Sequence, residues 1–280
     1  MEIKSALVRP LTLKDKTNLT IIILTLVTGI FFTFVGIYQG LNIFQGISLG
    51  FTKGIALFLC WALARELDPD GKRAAFYGLV PLFFVFFIQN EFMILPMVYL
   101  LFLLRILSKS VGKPITIFDL LVIFLFAVYL YLFYSFLFPL FGSIFLFLDF
   151  RLKGVKNGAT LIVSILLMLL ALLSFVNIYT IVPVEVDFIS ILAVSTISTL
   201  FAFRLSFFKK LLSTSDNNLY FLSPKRVKAS GVVTLLFALA LAINYGFIRE
   251  TSHLWFAMMG VSLPFLSEVK NKIKNKNSTH

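Results

Sequence analysis

Cysteine, histidine and acidic residues are scarce in this chain, and each shortage removes a class of function. Cys60 is the only cysteine among 280 residues, so no internal disulfide can form. With two histidines, His253 and His280, and no HExxH pattern, a zinc-dependent protease is excluded. A Gly-rich phosphate loop and a GxSxG elbow are also missing, and the sequence requires no cofactor. Asp and Glu number 13 against 25 Lys and Arg, which leaves a formal net charge of +12.

What the chain has in abundance is apolar surface. It is 59% hydrophobic with 34 Phe, against about 45–50% apolar in a soluble domain. Apolar runs recur from Leu19 to Leu266 and are long enough to cross a hydrocarbon layer of about 30 Å. Only helices and closed barrels satisfy their backbone groups in lipid, and runs of this length predict helices. The expected fold is therefore all-α: a polytopic transmembrane bundle over 19–267, preceded by a cytoplasmic segment 1–18 and followed by a basic cytoplasmic tail 268–280. No cleavable signal peptide is recognisable, and the first span reads as a signal anchor.

The placement of positive charge sets the expected topology and argues against nucleic acid as a partner. All Lys and Arg except Lys53 and Arg249 fall in six clusters. These lie in 4–16, 65–73, 105–113, 151–156, 204–228 and 270–276. Neighbouring clusters are separated by one apolar hairpin, whose far turn falls at 38–42, 89–91, 131–135, 183–187 or 249–253. By the positive-inside rule, five hairpins give about ten spans with both termini cytoplasmic, in the inner or plasma membrane beside an anionic inner leaflet. Stretch 114–150 admits either two crossings or a re-entrant segment, which would leave eight, and Pro139 and Gly142 are expected to break a helix there. The 31 residues between Arg73 and Arg105 predict two short helices around Gln89, Asn90 and Glu91.

Four features carry possible chemistry. Lys53 lies in the second span beside Gly46, Gly50 and Gly54. An ammonium at mid-span costs roughly 2.5–3.5 kcal/mol to insert, so it needs a partner or water. Lys53 and Gly50 are the first candidates for a substrate path, with Glu91, Glu185, Asp187 or Glu250 as counter-charge. The competing reading has Lys53 snorkelling to the interface and the glycines packing helices, with Gly36 and Gly40 as the matching surface.

The second feature is the densest charge cluster, Arg65, Glu66, Asp68, Asp70, Lys72 and Arg73, around a Pro69-Asp70-Gly71 turn. It reads either as a tight connection or as a cytoplasmic phosphate or metal site. Asp70-Gly71-Lys72-Arg73-Ala74 resembles the opening of the CDP-alcohol phosphotransferase signature. Ala75 stands where that signature has Arg, and the next Asp is Asp119, so the metal-binding set is incomplete.

The remaining features are weaker. Cys60 and His253 would form a thiol–imidazole pair only if brought within about 3 Å, and the topology puts them near opposite faces. Pro81, Pro96, Asp119, Asp149, Asn177 and Asn244 are polar or helix-breaking residues within later apolar stretches. Of these, Asp119 and Asp149 are expected to be solvated at the interface, and Asn244 to bond between helices. Three function classes follow. They are a small permease for a small molecule or lipid, a membrane enzyme acting on lipid-linked phosphate, and an accessory subunit or oligomer joined through glycine-lined faces.

Overall fold

The computed structural model describes residues 5–9, 11–152, 157–176, 187–207, 211–216, 220–246 and 248–277, with side chains outside 174–176 and 266–277. Among the described residues the architecture is all-helical. There are eleven helices, and one isolated bridge joins Thr214 to Phe221. In chain order they are α1 (Lys16–Tyr38), α2 (Ile43–Leu67), α3 (Ala74–Tyr77), α4 (Leu79–Val85), α5 (Ile94–Ser108) and α6 (Ile117–Phe133). Then follow α7 (Leu137–Arg151), α8 (Gly158–Val176), α9 (Phe188–Phe207), α10 (Pro224–Tyr245) and α11 (Ser252–Asn277). Four of them, α1, α2, α9 and α10, are long and apolar enough to cross a membrane. Large apolar side chains stand exposed along the helices, among them Phe34, Phe44, Phe84, Ile117 and Ile243. Water would penalise such an exterior, and lipid would not.

The chain divides into two compact units, and these interleave along the sequence. One unit contains α1 to α4, α9 and α11, and its core is the α1–α2 hairpin with α11 packed on α2. The hairpin turn is set by Gly40 at φ +93° and by a capping box between Asn42 and Gln45. Close approach of the two helices needs the glycines of α2. A Cβ on Gly50 would lie 2.2 Å from both the Gly29 carbonyl oxygen and the Thr33 hydroxyl. Gly36 does meet α2, near Leu49 and Gly46, but Gly40 faces open space. The matching surface is thus Gly29, Thr33 and Gly36.

Pro81 accounts for the division between α3 and α4. It has no N–H to donate to the carbonyl four residues earlier, at Tyr77, so the helix is interrupted and α4 ends soon after. Short helical pieces therefore flank Gln89, Asn90 and Glu91, as their spacing predicts.

The other unit contains α5 to α8, α10 and the segment 5–9. Its centre is the packing of α7 on α8, where the Ser164 hydroxyl donates to the Ser143 carbonyl at 2.9 Å. Pro139 and Gly142 do not break a helix. Pro139 occupies the first turn of α7, where no N–H is needed, and Gly142 gives room to the Tyr99 hydroxyl. Stretch 114–150 forms two helices, α6 and α7, with a turn at 134–136.

Two acidic residues expected at the solvated interface are buried instead. Asp119 accepts from the Ser5 hydroxyl at 2.5 Å and the Ala6 amide at 3.1 Å, and also closes the capping box of α6 with Thr116. Asp149 is paired with Arg226. Asn244 bonds back to the Ala240 carbonyl of its own helix, because that carbonyl one turn earlier is the nearest acceptor. Asn177 lies outside the described residues.

Candidate functional site

Lys53 is 2% exposed and is engaged by protein on every side. Its ammonium donates to the Phe86 carbonyl and, at 3.0 Å, to Asn90 Oδ1, and it sits 4.4 Å from the centre of the Phe32 ring. Phe86 is the C-cap of α4, where carbonyls lack intrahelical partners and the helix dipole is negative. The cation therefore satisfies the end of a helix that Pro81 has shortened. Its counter-groups are a carbonyl, an amide and an aromatic ring. Of the carboxylates suggested by sequence, Glu185 lies outside the described residues. Gly50 lies against α1, so another protein could use that glycine face only if α1 moved away.

The 65–73 cluster is spread out by the fold. Asp68 caps α2 and pairs with Arg204 of α9 at 2.9 Å, with both side chains largely buried. Arg65 reaches the Pro69 carbonyl across the turn at 3.4 Å, and Glu66 is 1% exposed at the end of α2. Lys72 makes a long, exposed contact of 3.7 Å with Asp15, while Asp70 and Arg73 face outward. Among the described residues, no three His, Cys, Asp or Glu side chains converge to hold a metal. The geometry of this loop is that of a connection tying α2 to α9.

Cys60 and His253 are both buried, and neither ring nitrogen of His253 has a hydrogen-bond partner among the described residues. The His253 ring lies edge-on to Phe92, with centroids 6.1 Å apart. A nucleophile–base pair needs a hydrogen bond, and here none forms.

The arrangement richest in chemistry lies in the other unit. Among the described residues, a cavity of about 650 Å³ is lined by Arg105, Lys109, Lys113 and Arg226 and by one carboxylate, Asp149. Four local features build it. Helix α5 ends at Ser108, and Lys109 takes φ +57° to turn the chain, so that the Gly112 amide reaches the Lys109 carbonyl at 3.1 Å. A left-handed residue after a helix is a common stop signal, although glycine usually fills it. The start of α8 contributes Asn157 and Gly158, whose added Cβ would meet nothing within 4 Å. The start of α10 contributes Ser223, whose hydroxyl makes no capping bond, with Pro224 behind it. Segment 5–9 contributes Ala6, held from outside by Asp119 and by Arg105, which donates to the Leu7 carbonyl at 2.7 Å.

The charges in this cavity are not equivalent. Arg226 is committed: it bonds Asp149 Oδ1 at 2.6 Å and the carbonyls of Leu107, Asp149 and Leu152. Lys109 is only 4.0 Å from Asp149, and burial is the main force holding its pKa below the usual lysine value, with Asp149 opposing that shift and Arg226 adding to it. Lys113 makes no hydrogen bond or ion pair among the described residues. The Tyr220 hydroxyl donates to the Lys109 carbonyl at 3.2 Å, and burial raises its pKa. Basic side chains and the positive ends of two helices thus face one space, an arrangement that attracts compact anions.

Of these cavity residues, Asp149 stands out in sequence as an acid within an apolar stretch, while the bases appear there only as a mark of sidedness. Arg105, Lys109 and Lys113 belong to one basic cluster and Arg226 to another, more than a hundred positions away. One signal was present: Lys109, Gly112, Lys113 and Pro114 combine turn formers with bases. Asp149, one residue before the end of the 114–150 stretch, was the matching acid. No protein-family model, curated protein or solved structure matches the chain.

Proposed function

We propose that the chain is a multi-pass protein of the cell membrane, with ten crossings and both termini cytoplasmic, that acts as a small permease for a phosphate-type anion. The observation that carries this reading is the cavity at the ends of α5, α8 and α10, with Arg105, Lys109, Lys113 and Arg226 around one carboxylate already paired to Arg226. Ten crossings follow from taking α3 and α4 as one interrupted segment, which leaves ten apolar segments with the basic residues gathered in alternate connections. On that topology the cavity opens at the cytoplasmic face, beside the anionic leaflet.

Permeation is favoured over catalysis by what lines the cavity. Asp149 is bound by Arg226, and the cavity holds no histidine or cysteine among the described residues, so binding groups outnumber groups able to shuttle a proton. The alternative, an enzyme acting on lipid-linked phosphate, would use the same bases to hold its substrate.

Two measurements test the proposal. Inorganic phosphate should protect the purified protein against thermal unfolding, by about 2.7 kcal/mol at a hundredfold excess over Kd. That protection should vanish in Lys109→Gln/Lys113→Gln. Proteoliposomes should then exchange a labelled phosphate compound without releasing inorganic phosphate. Absence of protection rejects the anion site, and release of inorganic phosphate selects the enzyme.

A further inference from the structure

We propose that the C-terminal end of α4 is a binding site for a monovalent cation, and that Lys53 fills it as a tethered ammonium. Its four residues, Phe32, Lys53, Phe86 and Asn90, belong to one unit, and the anion cavity belongs to the other. First, the end of α4 leaves a carbonyl to be satisfied. The carbonyls of Leu82, Phe84 and Val85 accept the amides of Phe86, Phe87, Ile88 and Gln89. The Phe86 carbonyl receives no backbone amide among the described residues and takes the Lys53 ammonium instead. A buried carbonyl without a donor is costly, and a cation satisfies it.

The groups around the charge then select its valence. Asn90 Oδ1 accepts from Nζ at 3.0 Å, and the centre of the Phe32 ring lies 4.4 Å away. That ring is fully buried and meets Phe83, Phe86 and Phe87 edge to face, with centroids 5.8, 5.5 and 5.2 Å apart, so its π face is held in place. Among the described residues no carboxylate pairs with Lys53. Two neutral oxygens and an aromatic face suit a single positive charge, whereas calcium takes about six to eight oxygens, carboxylates among them.

Burial separates this arrangement from a snorkelling lysine. Lys53 is 2% exposed and lies well inside α2, about 15 Å along the axis from Ile43. A charge enclosed at that depth needs ligands to hold it. The ammonium does there what a bound ammonium or alkali ion would do, and its covalent tether removes the dependence on dissolved cation.

The test uses the full-length protein in nanodiscs and reads its melting temperature. Wild type should melt alike in equal concentrations of potassium, sodium or choline chloride, because the lysine already occupies the site. Lys53→Ala deletes a group with the outline of propylammonium and should lower the melting temperature by roughly 5–10 °C. Propylammonium chloride should restore about half of that loss or more. Propanol, which lacks the charge, and tetramethylammonium, which lacks N–H, should not. Restoration by potassium as well upholds the site and extends it to alkali ions; restoration by propylammonium alone upholds it for ammonium. Lys53→Met keeps the bulk without the charge and should also melt below wild type, which covers the case in which Lys53→Ala does not fold. Equal restoration by propanol, no restoration by either cation, a cation-dependent wild type, or Lys53→Met melting at or above wild type each overturns the proposal.

Discussion

Arg226 at the start of α10 lies 2.6 Å from Asp149 near the end of α7, and the same guanidinium also takes the carbonyls of Leu107 and Leu152. One side chain therefore joins the ends of α5, α7 and α10 beside the cavity. A buried ion pair is costly to assemble and more costly to break on one side.

Removing either partner should accordingly destabilise the protein strongly. Asp149→Ala leaves a buried guanidinium without its carboxylate and should cost about 3–5 kcal/mol. Arg226→Met should cost a similar amount. Because both remove one interaction, the double variant should lose less than the sum of the two, a deficit seen in a denaturation cycle. Additive losses would mean the pair is energetically uncoupled.

Lys53 should be inaccessible from either side of the membrane. In a Cys60→Ala background, Lys53→Cys should resist impermeant thiol reagents, since the position is enclosed by Phe32, Phe86 and Asn90. Labelling from one side would reveal water at this depth and restore Lys53 as a substrate contact.

Gly50→Ala should weaken the α1–α2 hairpin by about 1–3 kcal/mol, because its Cβ would meet the Gly29 carbonyl and Thr33 at 2.2 Å. Gly158→Ala should change stability by less than about 0.5 kcal/mol, since open space lies at that position. Equal melting temperatures for the two variants would contradict the packing described for α2.

Lys109→Gly separates backbone from charge. It relieves a left-handed residue, worth about 1–2 kcal/mol, and should raise stability while weakening phosphate binding. A loss of stability would show that the ammonium supports the fold.

Binding of phosphate should also fall at alkaline pH, starting below the ordinary lysine value of 10.5. Burial lowers the Lys109 pKa in the folded state, so the folded protein binds fewer protons than the unfolded chain between the two values. Stability therefore rises with pH across that window, while affinity declines as the ammonium is lost. Lys109→Arg, which keeps its charge, should flatten the binding profile. An unchanged decline would assign the titration to another group.

Much of the helical architecture was legible in sequence because hydropathy and helix length are local properties. The apolar runs, the glycine spacing of α2, the interruption near Pro81 and the sidedness of the bases all depend on residues a few positions apart. Segments 19–38 and 43–64 could be read as helices without knowing what either would touch.

The contacts that give residues their roles depended on tertiary structure. Nothing local distinguishes Asp68, spent on Arg204, from Asp70, which faces outward. Nor does any local signal send Asp119 to Ser5 and Ala6, or Lys53 to the end of α4. By itself the sequence determined that the chain is apolar, helical and asymmetric in charge. Only the fold decided which charges neutralise one another and which remain around a cavity, because an ion pair forms by distance in space and Arg226 finds Asp149 from 77 positions away.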